Sequence, residues 1–151
     1  MNRQDARTPN DRFQEPNGEL DRLASAVVVA AIEVHRELGP GFLESIYERS
    51  LCIELALRGI PFQRQVPVAV EYKAHRVGDG LLDLLIADRL VVELKAVETL
   101  ETVHLIQVRS YLKATGRCLG ILINFNVPVL LRGVRRVILT PERLASWRPG
   151  D

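Results

Sequence analysis

A chain of 151 residues has room for one ordinary domain with its own core, not for two. With 47% hydrophobic and 26% charged residues it has the make-up of a globular protein. A net charge of +1 advertises neither nucleic acid nor membrane. The charge is uneven, however: from Leu105 to Asp151 eight basic residues stand against two acidic ones, so a basic C-terminal third follows an acidic remainder. Cys52 and Cys118 lie in apolar surroundings without CxxC spacing, as reduced core residues of an intracellular protein do, and not as a disulfide or zinc site. The start of the chain has no apolar signal-peptide run. The longest apolar stretch, Ala24 to Ile32, falls far short of the roughly 20 residues a membrane span needs. A cytoplasmic protein without membrane attachment is expected.

In chain order, residues 1–19 are polar and unpatterned and are expected to be a disordered tail. From about Asp21 to Leu38, Leu23, Val27, Ala30, Ala31, Val34 and Leu38 recur at helical spacing. Val28, Val29 and Ile32 widen the stripe, which makes this helix the candidate surface for a homodimer. "GPG" at 39–41 stops it, and a second helix is expected from Phe42 to Arg58, closed by Gly59. "FQRQVPVAVEYK" alternates as a strand with Val66, Val68 and Val70 on one face. Pro67 inside it calls for an edge position or a bulge. "HRVGDG" is expected to turn, and "LLDLLIA" and "LVVELKA" to form a hairpin around Asp88-Arg89. "TVHLIQVRSYLKAT" is helical again, "CLGILINF" is a strand covered on both faces, "VRRVIL" a last short strand and "PERLASW" a helical turn. The order α-α-β-β-β-α-β-β predicts an α/β fold, a mixed sheet flanked by helices, over residues 20–140, with a C-terminal turn and tail at 141–151.

Within this frame "VVELKA" places Glu93 and Lys95 on one face of a strand, where such residues are poor strand formers and rarely buried unpaired. A three-residue hairpin loop (Ala87, Asp88, Arg89) sets Asp83 directly opposite Glu93, with Cβ atoms about 5 Å apart; a two-residue loop sets them on opposite faces. The sequence allows both. In the first case two carboxylates repel by roughly 3 kcal/mol at an effective dielectric of 20, a conflict that a cation or a shared proton resolves. A hard divalent ion held by one or two carboxylates, with a lysine one pleat along, is the equipment of a metal-dependent phosphodiesterase.

The ordered set "G41-F-L-E44-S-I-Y47", "D83…E93-L-K95" and "Q107-V-R-S-Y111", with the flanking "VHRELGPG", "RGIPFQRQVPV" and "LINFNVP", resembles the bacterial GxxExxY proteins of the PD-(D/E)XK nuclease superfamily, on its QxxxY-containing branch. The resemblance runs from about residue 21 to 138. It implies a restriction-endonuclease-like core and a Mg²⁺- or Mn²⁺-dependent nuclease. In it Asp83, Glu93 and Glu44 would be metal ligands and Lys95 the catalytic lysine. Gln107 and Tyr111 would touch the nucleic-acid backbone, DNA ahead of RNA, or brace the site. Leu82 stands where the superfamily's "PD" has its proline.

Each residue has a plainer alternative. Glu93 and Lys95 can be an ion pair on a solvated strand, Glu44 a first-turn acid favoured by the helix dipole, and Tyr47 a core residue. His104 reads as structural, His35 as a cap on its own helix, Asn124 and Asn126 as turn residues. Arg132, Arg135 and Arg136 read as a charged strand edge. The whole chain has one too: a catalytically silent nuclease fold used as a binding or regulatory module.

Overall fold

Helix α1 (Gly18–Leu38) opens the computed structural model, which describes residues 18–140. It buries Leu20, Ala24, Val27, Ala30, Ala31 and Val34, the face its spacing dictates, and leaves Val29 and Ile32 exposed. Gly39, at φ 70°, closes it by donating its N–H to the His35 carbonyl. Helix α2 (Glu44–Leu57) packs beside α1 through Tyr47, Leu51 and Leu55.

The chain then forms β1 (Phe62–Tyr72), β2 (His75–Ile86) and β3 (Leu90–Lys95), crosses through α3 (Thr102–Thr115) to β4 (Leu119–Asn124), and ends with a 3₁₀ turn (Leu130–Gly133) and β5 (Val134–Ile138). The five strands lie in the order β1-β2-β3-β4-β5. All neighbours are antiparallel except β3 and β4, which are parallel because α3 carries the chain back between them. Helices α1 and α2 cover one face, with Leu84, Val92, Leu94, Ile121 and Ile123 in that core. Helix α3 covers the other, with Leu82, Leu85, Val91 and Leu122. All six residues of β4 are buried, as a strand covered on both faces requires. Helix α3 approaches so closely that a Cβ on Gly120 would lie 2.6 Å from Val108 Cγ1. This is the α/β fold expected, with a helix inserted in a mixed five-stranded sheet.

Some local expectations shift. Helix α1 begins at Gly18, so Gly18 and Glu19 are helical and not part of a tail, and α2 begins at Glu44 instead of Phe42. "HRVGDG" is not a turn: it lies inside β2, and the reversal is made by Lys73 and Ala74, both at positive φ (50° and 67°), between the paired Tyr72 and His75. Two residues in the left-handed region are what a tight hairpin demands, and here neither is glycine. Pro67 does lie on an edge strand, while the register shift falls at Val70/Glu71. Residues 1–17 and 141–151, including the expected tail and the "PERLASW" turn, lie outside the described residues.

Candidate active site

The β2–β3 hairpin takes the three-residue loop. Ile86 pairs with Leu90, Leu85 with Val91 and Leu84 with Val92, and the same register brings Asp83 opposite Glu93. Ala87 and Asp88 turn the corner at φ 52° and 59°. At the Asp83–Glu93 step the side chains take over the ladder. The Asp83 N–H donates to Glu93 Oε1 at 3.0 Å, and the Leu94 N–H donates to Asp83 Oδ2 at 2.8 Å. Each carboxylate thus ties itself to the opposite strand's step, and one oxygen of each is spent.

The strand phase breaks at the same place. Leu82 belongs to the core under α3 and Leu84 to the core under α1 and α2, although residues two apart in a regular strand share a face. Strand β1 breaks in step: Phe62 packs on the α1–α2 side, Val66 and Val68 on the α3 side. Between them Gln65 adopts φ 52°, a left-handed conformation unusual for a non-glycine residue within a strand. Because of it two successive side chains, Arg64 and Gln65, reach one carboxylate. Arg64 Nη2 lies 3.0 Å from Glu48 Oε2, and Gln65 Nε2 donates to Glu48 Oε1 and Oε2 at 3.0 and 3.1 Å. Glu48 is buried and stands one turn after Glu44 on α2.

The electrostatics show which groups share this space. Burial, then the charge of Asp83, pushes the Glu93 carboxyl up to about 8; the Asp83 N–H and the Lys95 ammonium pull the other way. The Asp83 carboxyl is raised chiefly by burial, against the Leu94 N–H bond. Glu44 is raised by burial and then by the charge of Asp83, with Lys95 opposing. Glu44, Asp83 and Glu93 therefore share one field, and Lys95 acts on all three. Yet among the described residues Lys95 forms no ion pair with any carboxylate. Glu93, at 3% exposure, is no solvated surface residue. The surface ion pair that E-x-K alone suggests is absent.

Tyr47 is structural and sets the position of Glu44. Its hydroxyl donates to the Gly39 carbonyl at 2.6 Å and accepts from the Phe42 N–H at 3.1 Å, and its ring stacks on Phe125 at 4.5 Å. It thereby locks the turn through Gly41, at φ 109°, that delivers Glu44 to the first position of α2. Asn124, paired with Lys95 across β3 and β4, holds Val97 with both ends of its amide: Oδ1 accepts the Val97 N–H and Nδ2 donates to the Val97 carbonyl. His35 does not cap its own helix; its Nε2 lies 2.7 Å from the Val127 carbonyl, ninety-two residues on. His104 is structural, its Nδ1 accepting the Glu101 N–H in a capping box.

Gln107 and Tyr111 stand apart from the carboxylates. With Ser110 they line an open groove of about 420 Å³ between α3 and the outer hairpin, whose other wall is Val70, Val77, Gly78, Asp79 and Gly80. A Cβ on Gly80 would lie 2.6 Å from Tyr111 Cε1, so Gly80 is the residue that admits the ring. Gly80 is three residues from Asp83 along β2, roughly 10 Å.

Sequence reasoning missed Glu48, Arg64 and Gln65. The i, i+4 spacing of Glu44 and Glu48 was the available signal; the left-handed turn at Gln65 left none, because nothing in glutamine favours it.

A divalent cation fits this donor set in kind, all hard oxygen, and such an ion needs only one or two carboxylates besides water and phosphate. Half-buried Asp83 and buried Glu93, both carboxyls driven upward, are the unresolved conflict a cation would settle. Among the described residues no group of three or more His, Cys, Asp or Glu side chains is gathered to hold a metal. Among them, too, no helix is long and apolar enough to cross a membrane.

No curated protein and no solved structure matches the chain. The sequence profile of the PD-(D/E)XK nuclease superfamily does, over residues 21–137, a span that runs from α1 into β5 and takes in both interrupted strands. A helix pair, a hairpin whose arms part at an acidic residue, and E-x-K on the next strand all fall inside that match. The chain belongs to the PD-(D/E)XK nuclease superfamily.

Proposed function

We propose that this protein is a divalent-metal-dependent nuclease of the GxxExxY type that hydrolyses phosphodiester bonds of nucleic acid, DNA ahead of RNA. The observation that carries the proposal is the pairing of half-buried Asp83 with buried Glu93 at the interrupted ladder, beside a lysine that acts on both yet pairs with neither. Asp83 and Glu93 would hold Mg²⁺ or Mn²⁺, with Glu44 reaching in from α2 to bind the ion or orient water. When bound, the cation supplies an acidified water and positive charge on the phosphoryl oxygen. Lys95 Nζ donates hydrogen bonds to the attacking water or to the oxygen on which charge develops. Gln107 and Tyr111 face the groove beyond Gly80. Among the described residues the only charged one lining it is Asp79, so the groove suits a base more than a phosphate.

The test is cleavage of mixed single- and double-stranded DNA and RNA with Mg²⁺ or Mn²⁺. Wild type is expected to cut, and Lys95→Ala to cut about 10²–10⁴-fold more slowly while still binding metal by calorimetry. Equal rates for the two proteins would refute the assignment of Lys95. A silent binding or regulatory module is the second reading, favoured by a net charge of only +1. Nucleic-acid binding that is absent or indifferent to salt would select it. A homodimer through α1 is a further element of the proposal. Val29 and Ile32 are the large apolar side chains α1 exposes, a small start towards the roughly 1,200 Å² a stable interface buries. Light scattering at high concentration decides it.

A further inference from the structure

Arg64 is unassigned by the nuclease reading, and its surroundings are costly for a simple surface cation. Its Nε and Nη2 bind Glu48 Oε2 at 3.2 and 3.0 Å, while its side chain is 54% exposed and that of Glu48 only 7%. Were Arg64 there merely to neutralise Glu48, the neighbouring strand residue could stay regular, its side chain on the opposite face. Instead Gln65 sits at φ 52° and places its amide across both Glu48 oxygens. A left-handed non-glycine residue is strained and persists where the surroundings over-determine it, most often at functional sites. The effect here is geometric. Glu48 is fixed by Gln65, and Arg64 is fixed by Glu48 along one edge of its guanidinium, with most of the side chain turned to solvent. A planar five-donor group anchored on one edge is a preorganised receptor for an oxyanion.

The position suits the same site. Arg64 pairs with Leu84, the residue after Asp83, and lies on the strand beyond it from Lys95. Two inter-strand spacings, roughly 10 Å, separate β1 from β3. Strand spacing alone does not join the two, but Asp83 meets the Gln65 side chain and the charge of Glu48, so the Glu48–Arg64 anchor adjoins the carboxylates on the α2 side, within reach of a phosphate next to the reacting one. We infer that Arg64, oriented by Glu48 and by the left-handed Gln65, is a substrate-binding residue that holds a phosphate of the nucleic-acid strand adjacent to the one being cleaved. The inference rests on the nuclease reading, but its measurement does not need hydrolysis.

The experiment follows anisotropy of a fluorescein-labelled single-stranded oligonucleotide in Ca²⁺ over a salt series, then cleavage kinetics in Mg²⁺. The proteins are wild type, Arg64→Gln, Arg64→Lys and Arg89→Gln. Arg89 lies in the β2–β3 turn, at the opposite end of β3 from Lys95, and its loss changes net charge equally. Arg64→Gln is expected to reduce the slope of log K against log salt by about 0.7, one phosphate contact on a single strand. It should raise KM about tenfold with kcat little changed. Arg64→Lys keeps the charge beside Glu48, so it should fold as wild type and retain the slope while losing part of the affinity. Arg89→Gln should match wild type. An Arg64→Gln protein with wild-type slope and KM overturns the inference, as does an Arg89→Gln protein that loses as much. Should wild type bind with an Arg64-dependent slope yet fail to cut, hydrolysis falls and the phosphate contact stands. Should it neither bind nor cut, both fall.

Discussion

Replacing Glu93 by glutamine should make the metal-free protein more stable at neutral and alkaline pH, and the pH dependence is the diagnostic part. The Glu93 carboxyl rises from its ordinary 4.5 to about 8 in the fold, through burial first and the Asp83 charge second. Between those values the folded state holds a proton that the unfolded chain has released. Unfolded minus folded protons is then negative, so stability falls as pH rises through this window. It is greatest below the ordinary carboxylate range and fully lost above about 8. The slope is on the order of 1 kcal/mol per pH unit, a few kcal/mol in all. Glutamine keeps an acceptor for the Asp83 N–H and removes the ionisation, and it relieves Asp83 of a like charge. Urea unfolding from pH 5 to 9 in EDTA should give curves for wild type and Glu93→Gln that meet at the acid end and diverge upward. Adding Mg²⁺ should restore the wild type at high pH and leave the variant unmoved. Parallel curves across the range would refute the claim that Glu93 is desolvated beside a second carboxylate.

Two further outcomes follow from the packing around the site. Tyr47→Phe keeps the stack on Phe125 but strands the Gly39 carbonyl, at an expected cost of about 1–3 kcal/mol by urea unfolding; a change below about 0.5 kcal/mol would show that the hydroxyl does not hold the turn before Glu44. Gly80→Ala sets a methyl against the Tyr111 ring and should cost about 1–3 kcal/mol, an amount largely recovered in a Tyr111→Ser background; additive costs in that double-mutant cycle would remove the contact.

The legible parts of this protein were those governed by local chemistry. Helical spacing announced α1 and α2, and a run of apolar residues announced β4, because burial on both sides admits nothing else. The Asp83–Glu93 pairing was legible as one of two registers, and the three-residue loop decided it. "HRVGDG" misled because two glycines are the commonest mark of a turn. Here Gly80 serves to clear Tyr111, a contact made across 31 residues of sequence. His35 misled for a similar reason, since its acceptor belongs to a loop far along the chain. Glu48 was hidden by its setting: an acidic residue in an amphipathic helix reads as surface until the strand that covers it is in place. The proposed roles of Asp83, Glu93 and Glu44 as metal ligands, of Lys95 in catalysis and of Gln107 and Tyr111 in substrate contact rest on family resemblance joined to this geometry.

The matched phase break of β1 and β2 has a consequence for how sequences of this kind can vary in length. Gln65 and Asp83 stand opposite one another, and on either side of them both strands present their apolar residues to different cores. A single-residue insertion or deletion in one arm on the inner side would slide that arm by one pleat, send Leu84 and Ile86 or Phe62 to the wrong face, and part Asp83 from Glu93. Such changes are tolerable only as compensated pairs, one in each arm. Beyond the break no such restriction applies: the hairpin can be lengthened or shortened at the Lys73–Ala74 reversal, two residues at a time, without disturbing the carboxylates. Related chains should therefore keep a constant spacing from Gln65 to the strand's start and from Asp83 to Lys95, and spend their length differences at the tip.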